Sequence, residues 1–257
     1  MIIDAHSHVH DPVDAHLALL DEAGVDRAVL FATRAHPERA KDLAGLNAEF
    51  AVLADALGGG KNGGFAAAVA ELHAVLGAHP DRFIGFGSVP LGDPDIAGYV
   101  DREIAGRGLR GIGELTPPPD RAELVEPVLR AAADHGLPVV VHGFAPTTAG
   151  DVRTLAALAR RHPRVPLVLS QLGGLQWTDV VALARETPNL YVELSTPVTV
   201  FAVRLAIAEL PERTLFGSDA PYGDPVLARL TVERATRSPE VRARVLGGTL
   251  LELLTNR

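Results

Sequence analysis

The length, composition and charge of this chain exclude several classes of protein. Its 257 residues, 47% hydrophobic and 22% charged, can bury a large core, and we expect a single domain over residues 1–257. The formal net charge of -8 argues against a nucleic-acid partner, because phosphate contacts need concentrated positive charge. Cysteine is absent, which excludes disulfides, thiolate zinc ligands and cysteine nucleophiles.

Membrane and targeting signals are not found in the sequence. The first residues, Met1-Ile2-Ile3-Asp4, carry no basic segment followed by an apolar one, and no later stretch is long enough to span a bilayer. We therefore expect a cytoplasmic protein with no membrane partner. The oligomeric state, including a homo-oligomer, stays open.

Short apolar runs, each followed by an Ala/Leu/Arg-rich stretch of helical period, recur along the chain. They cover residues 2–5, 28–32, 83–89, 109–115, 139–141, 166–169, 190–194 and 214–216. Eight such strands with helices between them predict a parallel sheet buried on both faces, which closes as a (β/α)8 TIM barrel of the α/β class. A doubly wound open sheet is the alternative.

Helix signals and one insertion fit the same pattern. The segment 121–135 has apolar residues at helical spacing and stops at Gly136, with Pro138 beyond. Residues 35–80 form a long insertion after the second strand, and its glycine-rich centre, 58–64, disfavours regular structure. We predict a loop between two helices, which would serve as a lid over the barrel or as a plain linker.

Histidines and carboxylates stand where the predicted strands end. His6 and His8 close the first strand, Glu114 the fourth, His142 the fifth and Asp219 the eighth. The carboxyl ends of barrel strands converge on one rim, so these side chains can share an ion. Three imidazoles and one carboxylate suit zinc, with manganese or iron as alternatives. The sequence therefore predicts one divalent metal ion. The only lysines, Lys41 and Lys61, follow no obvious strand, so a carbamylated lysine bridging two metals is not expected.

Four sequence motifs carry a resemblance to a known family. They are Ile3-Asp4-Ala5-His6-Ser7-His8, Gly111-Ile112-Gly113-Glu114, Val139-Val140-Val141-His142 and Gly217-Ser218-Asp219-Ala220-Pro221. Together they resemble the amidohydrolase superfamily, and they look most like its amidohydrolase-2 branch. The segments 79–83 and 189–195 also match that branch, so the similarity spans essentially the whole chain.

The resemblance implies a metal site and a reaction. The metal would be held by His6, His8, His142 and Asp219, a metal-activated water would be the nucleophile, and Asp219 would accept its proton. Glu114 is placed where the related TatD-type hydrolases carry a carboxylate that bridges two metals. It is therefore a possible second metal ligand or a second acid/base group.

One position departs from the family pattern. After the sixth strand the family usually has histidine before Leu-Gly-Gly, whereas this chain has Gln171. Glutamine takes up no proton near neutral pH, and its amide oxygen is a poorer ligand than imidazole. A second metal is then disfavoured, general-base work passes to Asp219 or Glu114, and Gln171 would orient the substrate or the water by hydrogen bonding.

Other polar and aromatic residues are candidates for the pocket wall. Arg34 follows the second strand and could pair with a substrate carboxylate, although a structural ion pair is more common. Aromatic rim residues could wall the pocket equally well or pack structurally: Phe144, Trp177 and Tyr222. His10 lies next to the predicted site, where it could contact substrate, although a solvated loop position is the more common outcome. The other histidines outside the motifs are expected at helix surfaces and ends: His16, His36, His73, His79, His135 and His162.

Two function classes remain open. The leading hypothesis is a metal-dependent hydrolase of an amide, lactone or similar carbonyl bond of a small molecule. A metal-dependent non-oxidative decarboxylase is its close competitor, since the same branch contains such enzymes. The second class is a catalytically altered, ligand-binding member in which Gln171 marks lost turnover. A TatD-like nuclease is disfavoured by the acidic charge balance.

Overall fold

The computed structural model describes residues 1–57, 64–197 and 199–255. Within these residues, strands alternate with helices. The strands are β1 (Ile3–His8), β2 (Arg27–Phe31), β3 (Phe83–Gly87), β4 (Gly111–Leu115), β5 (Val139–Val141), β6 (Leu167–Leu169), β7 (Leu190–Glu193) and β8 (Thr214–Leu215). Each of them lies at one of the apolar runs that the sequence predicts as a strand.

The strands form one parallel sheet in which each strand pairs with its neighbours in sequence, in the order β1 to β8. β1 also bonds to the segment that follows β8. The His8 amide donates to the Ala220 carbonyl at 2.7 Å, and the Asp219 amide donates to the His6 carbonyl at 2.8 Å. The sheet is a nearly closed TIM barrel, as predicted, and the open doubly wound alternative is wrong.

Helices cover the outside of the sheet. They are α1 (Val13–Glu22), α2 (Leu43–Leu57), α3 (Gly64–Ala78), α4 (Ile96–Tyr99), α5 (Glu126–His135), α6 (Ala149–Arg161), α7 (Trp177–Glu186), α8 (Val200–Glu209), α9 (Pro225–Ala235), α10 (Pro239–Ala243) and α11 (Thr249–Thr255). α5 ends as predicted at Gly136, whose φ of 62° is the left-handed conformation that glycine adopts without steric cost. None of the helices in the described ranges has the length and apolarity needed to span a membrane.

Two helices, α2 and α3, lie between β2 and β3. The predicted loop between them falls at residues 58–63, which lie outside the described residues, as does Lys61. α2 is fastened to the segment after β2 by two polar contacts. Arg34 forms an ion pair with Asp55 at 2.7 Å, and the His36 amide donates to Glu49 Oε2 at 2.7 Å.

The apolar core has two layers because the strands are buried on both faces. Inside the barrel, Ile3, Val29, Phe31, Phe86 and Val140 pack together. A second layer, which includes Val139 and Val141, fills the space between the sheet and the helices. Neighbouring residues of β5 thus enter opposite layers, as strand geometry requires. At one end of the inner layer the Phe31 ring packs edge-on against the His6 ring, with centroids 4.9 Å apart.

Candidate metal centre

β1 brings His6 and His8 to the same side of the sheet, as their spacing predicts. The two rings lie 5.3 Å apart, and the His6 side chain is fully buried. Glu114, at the end of β4, completes a group in which one ligand atom from each residue lies within 4.8 Å of the others. Residues more than a hundred positions apart in the sequence therefore share one site on the rim.

Asp219, just after β8, joins this group from the other end of the chain. Its Oδ1 lies 3.5 Å from His6 Nε2 and 3.2 Å from His8 Nε2. The backbone of Asp219 is left-handed, with φ of 58°, and its amide is bonded to the His6 carbonyl. The hydrogen bonds that join β1 to the segment after β8 therefore also place the Asp219 carboxylate beside both histidines.

The charges of the site reinforce one another. Burial by itself would raise the pKa of Glu114, yet the His142 and His6 imidazoles hold the pKa of this carboxyl well below its usual range. The pKa of Asp219 is lowered as well: burial opposes the shift, and His6 and His8 outweigh it. Both carboxylates are therefore ionised at neutral pH, which favours a cation between them and the imidazoles.

Glu193, at the end of β7, sets the tautomer of His6. Its Oε2 lies 3.1 Å from His6 Nδ1, and the carboxylate also accepts from the Ser195 hydroxyl at 2.8 Å and from the backbone N–H of Gln171 at 3.2 Å. A carboxylate acceptor at Nδ1 keeps a proton on that nitrogen, which leaves Nε2 as the position for a metal. Burial opposes protonation of the ring, but Glu114, Asp219 and Glu193 raise the pKa of His6 to about 10, so a cation at Nε2 would replace a proton there. His6 Nε2 is buried and has no hydrogen-bond partner within the described part of the chain.

The sequence reasoning missed Glu193. The available signal was a glutamate inside the buried apolar run 190–194, where a charged residue needs a partner. The contact between Glu193 and His6 explains why residue 217 is a glycine. A Cβ at that position would collide with Glu193 Oε1 and lie 2.9 Å from the His6 Cβ. The glycine of the Gly-Ser-Asp-Ala-Pro motif therefore makes room for the Glu193–His6 pair.

Gln171 is buried and its amide joins both site carboxylates. Its Nε2 donates to Glu114 Oε1 at 3.2 Å and to Asp219 Oδ2 at 3.3 Å. Its Oε1 accepts from the Gly143 and Phe144 amides at 2.9 and 3.3 Å. The predicted hydrogen-bonding capacity of Gln171 is thus directed at protein carboxylates.

His142 reaches the group through Glu114. His142 Nδ1 lies 3.0 Å from Glu114 Oε1, and Nε2 lies 3.1 Å from the Ala145 carbonyl. Although burial favours the neutral ring, Glu114 raises the pKa of His142 above its usual value. The ligand role of His142 stays a prediction, because its contacts are to Glu114 and a carbonyl.

Asp4 joins β1 to the segment that follows β8, where the barrel closes. This buried carboxylate accepts hydrogen bonds from the Ser218 amide and the His6 amide, both at 3.0 Å, and from the Ser218 hydroxyl. Burial raises the pKa of Asp4 to about 6 despite these donors. Asp4 therefore positions the backbone at His6 and at Ser218, which directly precedes Asp219.

The four candidates for the pocket wall have different surroundings. The Tyr222 ring stands edge-on to His8 with centroids 5.7 Å apart, and the partly exposed Phe144 carries an amide bonded to Gln171. Trp177 packs on Phe201 of α8 at 5.8 Å. Arg34 forms its ion pair with Asp55 of α2, so the structural role considered for it is realised, whereas substrate contact stays a prediction.

Three histidines that we expected to be solvated or at surfaces are buried, so that expectation is wrong. The rings of His10 and His16 stack with centroids 4.0 Å apart, and His16 is 0% exposed. His16 lies four residues before Leu20 on the inner face of α1, which explains its burial. His36 is held between Glu38 and Glu71, at 3.0 and 3.4 Å.

The site fits a divalent cation. Imidazole nitrogens and carboxylate oxygens are the ligands that zinc, manganese and iron take in proteins. Around His6, the carboxylates Glu114, Glu193 and Asp219 all lie within 3.7 Å of the ring. A cation next to His6 Nε2 would offset this negative charge and bind a nitrogen that no described residue engages in a hydrogen bond.

The eight-stranded parallel barrel is a TIM barrel, and its histidines and carboxylates lie at the carboxyl ends of the strands, where the active sites of such barrels are found. The chain belongs to the amidohydrolase family, since the family model described as Amidohydrolase matches residues 3–254. This confirms the resemblance drawn from the four motifs. No curated protein matches the chain.

Solved structures with the same fold include decarboxylases and a hydratase. The 5-carboxyvanillate decarboxylase of Sphingomonas paucimobilis is 20% identical, with 98% of each chain covered and a TM-score of 0.67. A second structure is a dihydroxybenzoic acid decarboxylase of a Polaromonas species, with bound manganese and the inhibitor 2-nitroresorcinol. It is 18% identical, with 98% of this chain and 96% of that chain covered and a TM-score of 0.68. The 4-oxalomesaconate hydratase of Rhodopseudomonas palustris is 14% identical, with 99% of this chain and 95% of that chain covered and a TM-score of 0.63. At these identities the likeness shows the barrel fold alone.

Proposed function

We propose that this chain is a metal-dependent hydrolase that opens an amide, lactone or similar carbonyl bond of a small molecule. The observation that carries the proposal is His6 Nε2, which is buried, has no hydrogen-bond partner among the described residues and faces ionised Asp219 and Glu114. The proposed metal ligands are His6, His8, His142 and Asp219, with Glu114 as a further ligand or an acid/base group. Zinc suits this set best, and manganese or iron would also suit it.

A divalent cation at this site, when bound, lowers the pKa of a coordinated water and polarises a substrate oxygen. The protein residues supply the rest of the chemistry. Asp219 is the proposed proton acceptor, because it is ionised and its two oxygens lie beside His8 and Gln171. Glu114 is the second candidate for proton transfer, and its contact with His142 gives a path for the proton away from the site.

The proposed substrate is a small molecule that lies between Phe144 and Tyr222. Both aromatic residues contact site residues directly, Phe144 through its amide to Gln171 and Tyr222 through its ring to His8. Trp177 and Arg34 are assigned to the outer part of the pocket. Arg34 would give up part of its pairing with Asp55 if it bound a substrate carboxylate.

A non-oxidative decarboxylase is the second candidate function. Two of the solved structures that share the barrel are described as decarboxylases, one of them with manganese bound. The same cation would stabilise negative charge that develops when carbon dioxide leaves. A catalytically altered, ligand-binding protein remains a third candidate, because the Gln171 side-chain NH2 donates its hydrogen bonds to protein carboxylates.

The test begins with metal content and turnover. Purified protein loaded with zinc or manganese should bind about one equivalent of metal and turn over members of a panel of lactones, amides and aromatic acids. His6→Ala and Asp219→Asn should lower kcat by at least about 100-fold, whereas Asp134→Asn, an exposed carboxylate on α5, should not change it. Metal-free protein with full activity would contradict the proposal.

Products then separate the candidates. Hydrolysis in water labelled with oxygen-18 places one label in the product, while decarboxylation releases carbon dioxide and adds no label. If no panel member reacts yet calorimetry detects ligand binding to the metal-loaded protein, the ligand-binding member is favoured.

A further inference from the structure

Gln171 has one possible amide orientation. Its Oε1 faces two backbone N–H groups, those of Gly143 and Phe144, at 2.9 and 3.3 Å. Turning the amide over would point its NH2 at these donors and its oxygen at two carboxylate oxygens. The hydrogen-bond network therefore assigns Nε2 to the side of Glu114 and Asp219.

The local backbone fixes the side chain as well. Gln171 lies in the turn Ser170–Gln176 with φ of 50°, and the residue is only 2% exposed. A Cβ at Gly143 would collide with the Ser170 carbonyl, so glycine is needed there for the Gly143 amide to approach the turn. Gln171 is consequently held by its own backbone and by a neighbouring loop.

Each site carboxylate directs one of its two oxygens at His6 and the other at Gln171. Glu114 Oε2 and Asp219 Oδ1 face His6 Nε2, at 3.7 and 3.5 Å. The other oxygens, Glu114 Oε1 and Asp219 Oδ2, face Gln171 Nε2 at 3.2 and 3.3 Å. One neutral NH2 group thus bridges the two outer oxygens and occupies the space that a cation between them would need. Glu114 Oε1 also lies 3.0 Å from His142 Nδ1 and accepts from the Ser170 hydroxyl at 2.6 Å.

We propose that Gln171 is a positioning residue that aims one oxygen of each carboxylate at the His6–His8 pair, while its amide nitrogen fills the place of a second cation. The proposal rests on the proposed function, since it concerns the same metal site. An amide NH2 binds no metal and carries no charge to repel the first ion. The chain would therefore hold one metal, and the identity of residue 171 would set that number.

The decisive variant is Gln171→Glu, which has nearly the same shape. It places a third carboxylate within about 3.3 Å of the two outer oxygens and so creates an oxygen-rich cation position. Wild-type protein dialysed against manganese should hold one equivalent, and Gln171→Glu should hold two. The electron paramagnetic resonance spectrum of the variant should show coupling between two manganese ions. Gln176→Glu, which adds the same charge at the edge of the same turn, should hold one.

A second variant tests the positioning role separately. Gln171→Met keeps the size but removes both donors, so its affinity for the first manganese ion should fall by 10-fold or more in a chelator competition. This measurement also tests the positioning role of Gln171 if Gln171→Glu does not fold.

The possible results are distinguishable from a failure of the proposed function. Wild-type protein that binds no metal would overturn the proposed function itself. Wild-type protein with two equivalents, or one equivalent in Gln171→Glu, would overturn the role of Gln171 in setting the metal number. Wild-type affinity in Gln171→Met would overturn its positioning role.

Discussion

His6 depends on Glu193 for its orientation. The carboxylate at Nδ1 fixes the ring and leaves Nε2 for a metal, and such outer partners of metal-binding histidines typically contribute 10- to 100-fold in metal affinity. We expect Glu193→Gln to weaken metal binding by about this factor, since the charge that holds the Nδ1 proton is lost. Competition with a chelator measures the effect.

The exposed Glu186 on α7 provides the matched control. Glu186→Gln removes the same charge without touching His6, so its metal affinity should equal that of the wild type. Equal affinities in Glu193→Gln and Glu186→Gln would show that Glu193 does not orient a metal ligand.

His16 makes folding sensitive to acid. Burial, followed by the charges of His10 and His8, lowers the pKa of His16 to about 2. The folded chain keeps this ring neutral, whereas the unfolded chain protonates it below about pH 6.5, so stability is fully present above that pH and is lost as the pH falls. Between pH 7 and pH 5 the contribution to the free energy of unfolding should decrease by about 2 kcal/mol.

Urea unfolding of metal-free protein at both pH values checks this expectation. His16→Leu removes the titrating group, so the variant should lose about 2 kcal/mol less than the wild type over the same interval. An identical loss in both proteins would mean that His16 is protonated in the folded state.

At the residue scale, the sequence predicted which residues lie at the site better than it predicted the side chains that they contact. His6, His8, Glu114 and Asp219 were predicted because each follows an apolar run, and the structure brings them together. The contacts of Glu193 and Gln171 depend on how neighbouring strands and turns approach one another in space. The left-handed turn at Gln171 has no signal in the sequence apart from its two following glycines.

At the element scale, Asp4 joins β1 to the segment after β8. Its carboxylate is the acceptor for two buried amides, those of Ser218 and His6, and a buried donor left without a partner costs about 1–3 kcal/mol. Asp4→Ala should therefore lower the free energy of unfolding by about 3 kcal/mol. Chemical denaturation in the presence of a chelator separates this effect from metal binding.

Asp26→Ala is a suitable comparison. Asp26 also accepts from a backbone amide, that of Ile2 at 2.7 Å, but the carboxylate is exposed, so water can replace it. Its loss should cost less than about 1 kcal/mol. If the two variants were equally stable, the junction between β1 and the segment after β8 would not depend on Asp4.

The strands were predictable because a parallel strand buried on both faces reads as a continuous apolar run. The three valines of β5 illustrate this, since they alternate between the inner and outer core layers. Polar positions on helices were harder to predict. His16 looks like a surface residue in the sequence, yet α1 turns it towards the sheet, and only the packing of the helix shows this.

At the scale of the whole molecule, the rim is the part that a metal ion would stabilise most. The proposed ligands on β1, β4 and the segment after β8 lie far apart in the sequence, so an ion that binds only the folded chain should raise the melting temperature. At a free metal concentration 100 times the dissociation constant, the stabilisation should be about 2.7 kcal/mol. Calorimetry with zinc and then with excess chelator measures it, and His6→Ala should show no metal-dependent shift.

The fold of the whole chain followed from the count and order of its apolar runs, and the family from four short motifs, which the match over residues 3–254 confirms. The single domain over residues 1–257 stays a prediction. Substrate identity depends on loop residues whose side chains obey no periodicity, so neither apolar pattern nor strand ends could predict it.

Anomalous X-ray diffraction at the absorption edge of zinc or manganese tests the central claim most directly. Crystals of the metal-loaded protein should show one anomalous peak at about 2.0–2.2 Å from His6 Nε2, with His8, His142 and Asp219 completing the coordination. A metal-loaded crystal without a peak at this rim, or with its peak at another place on the barrel, would contradict the claim.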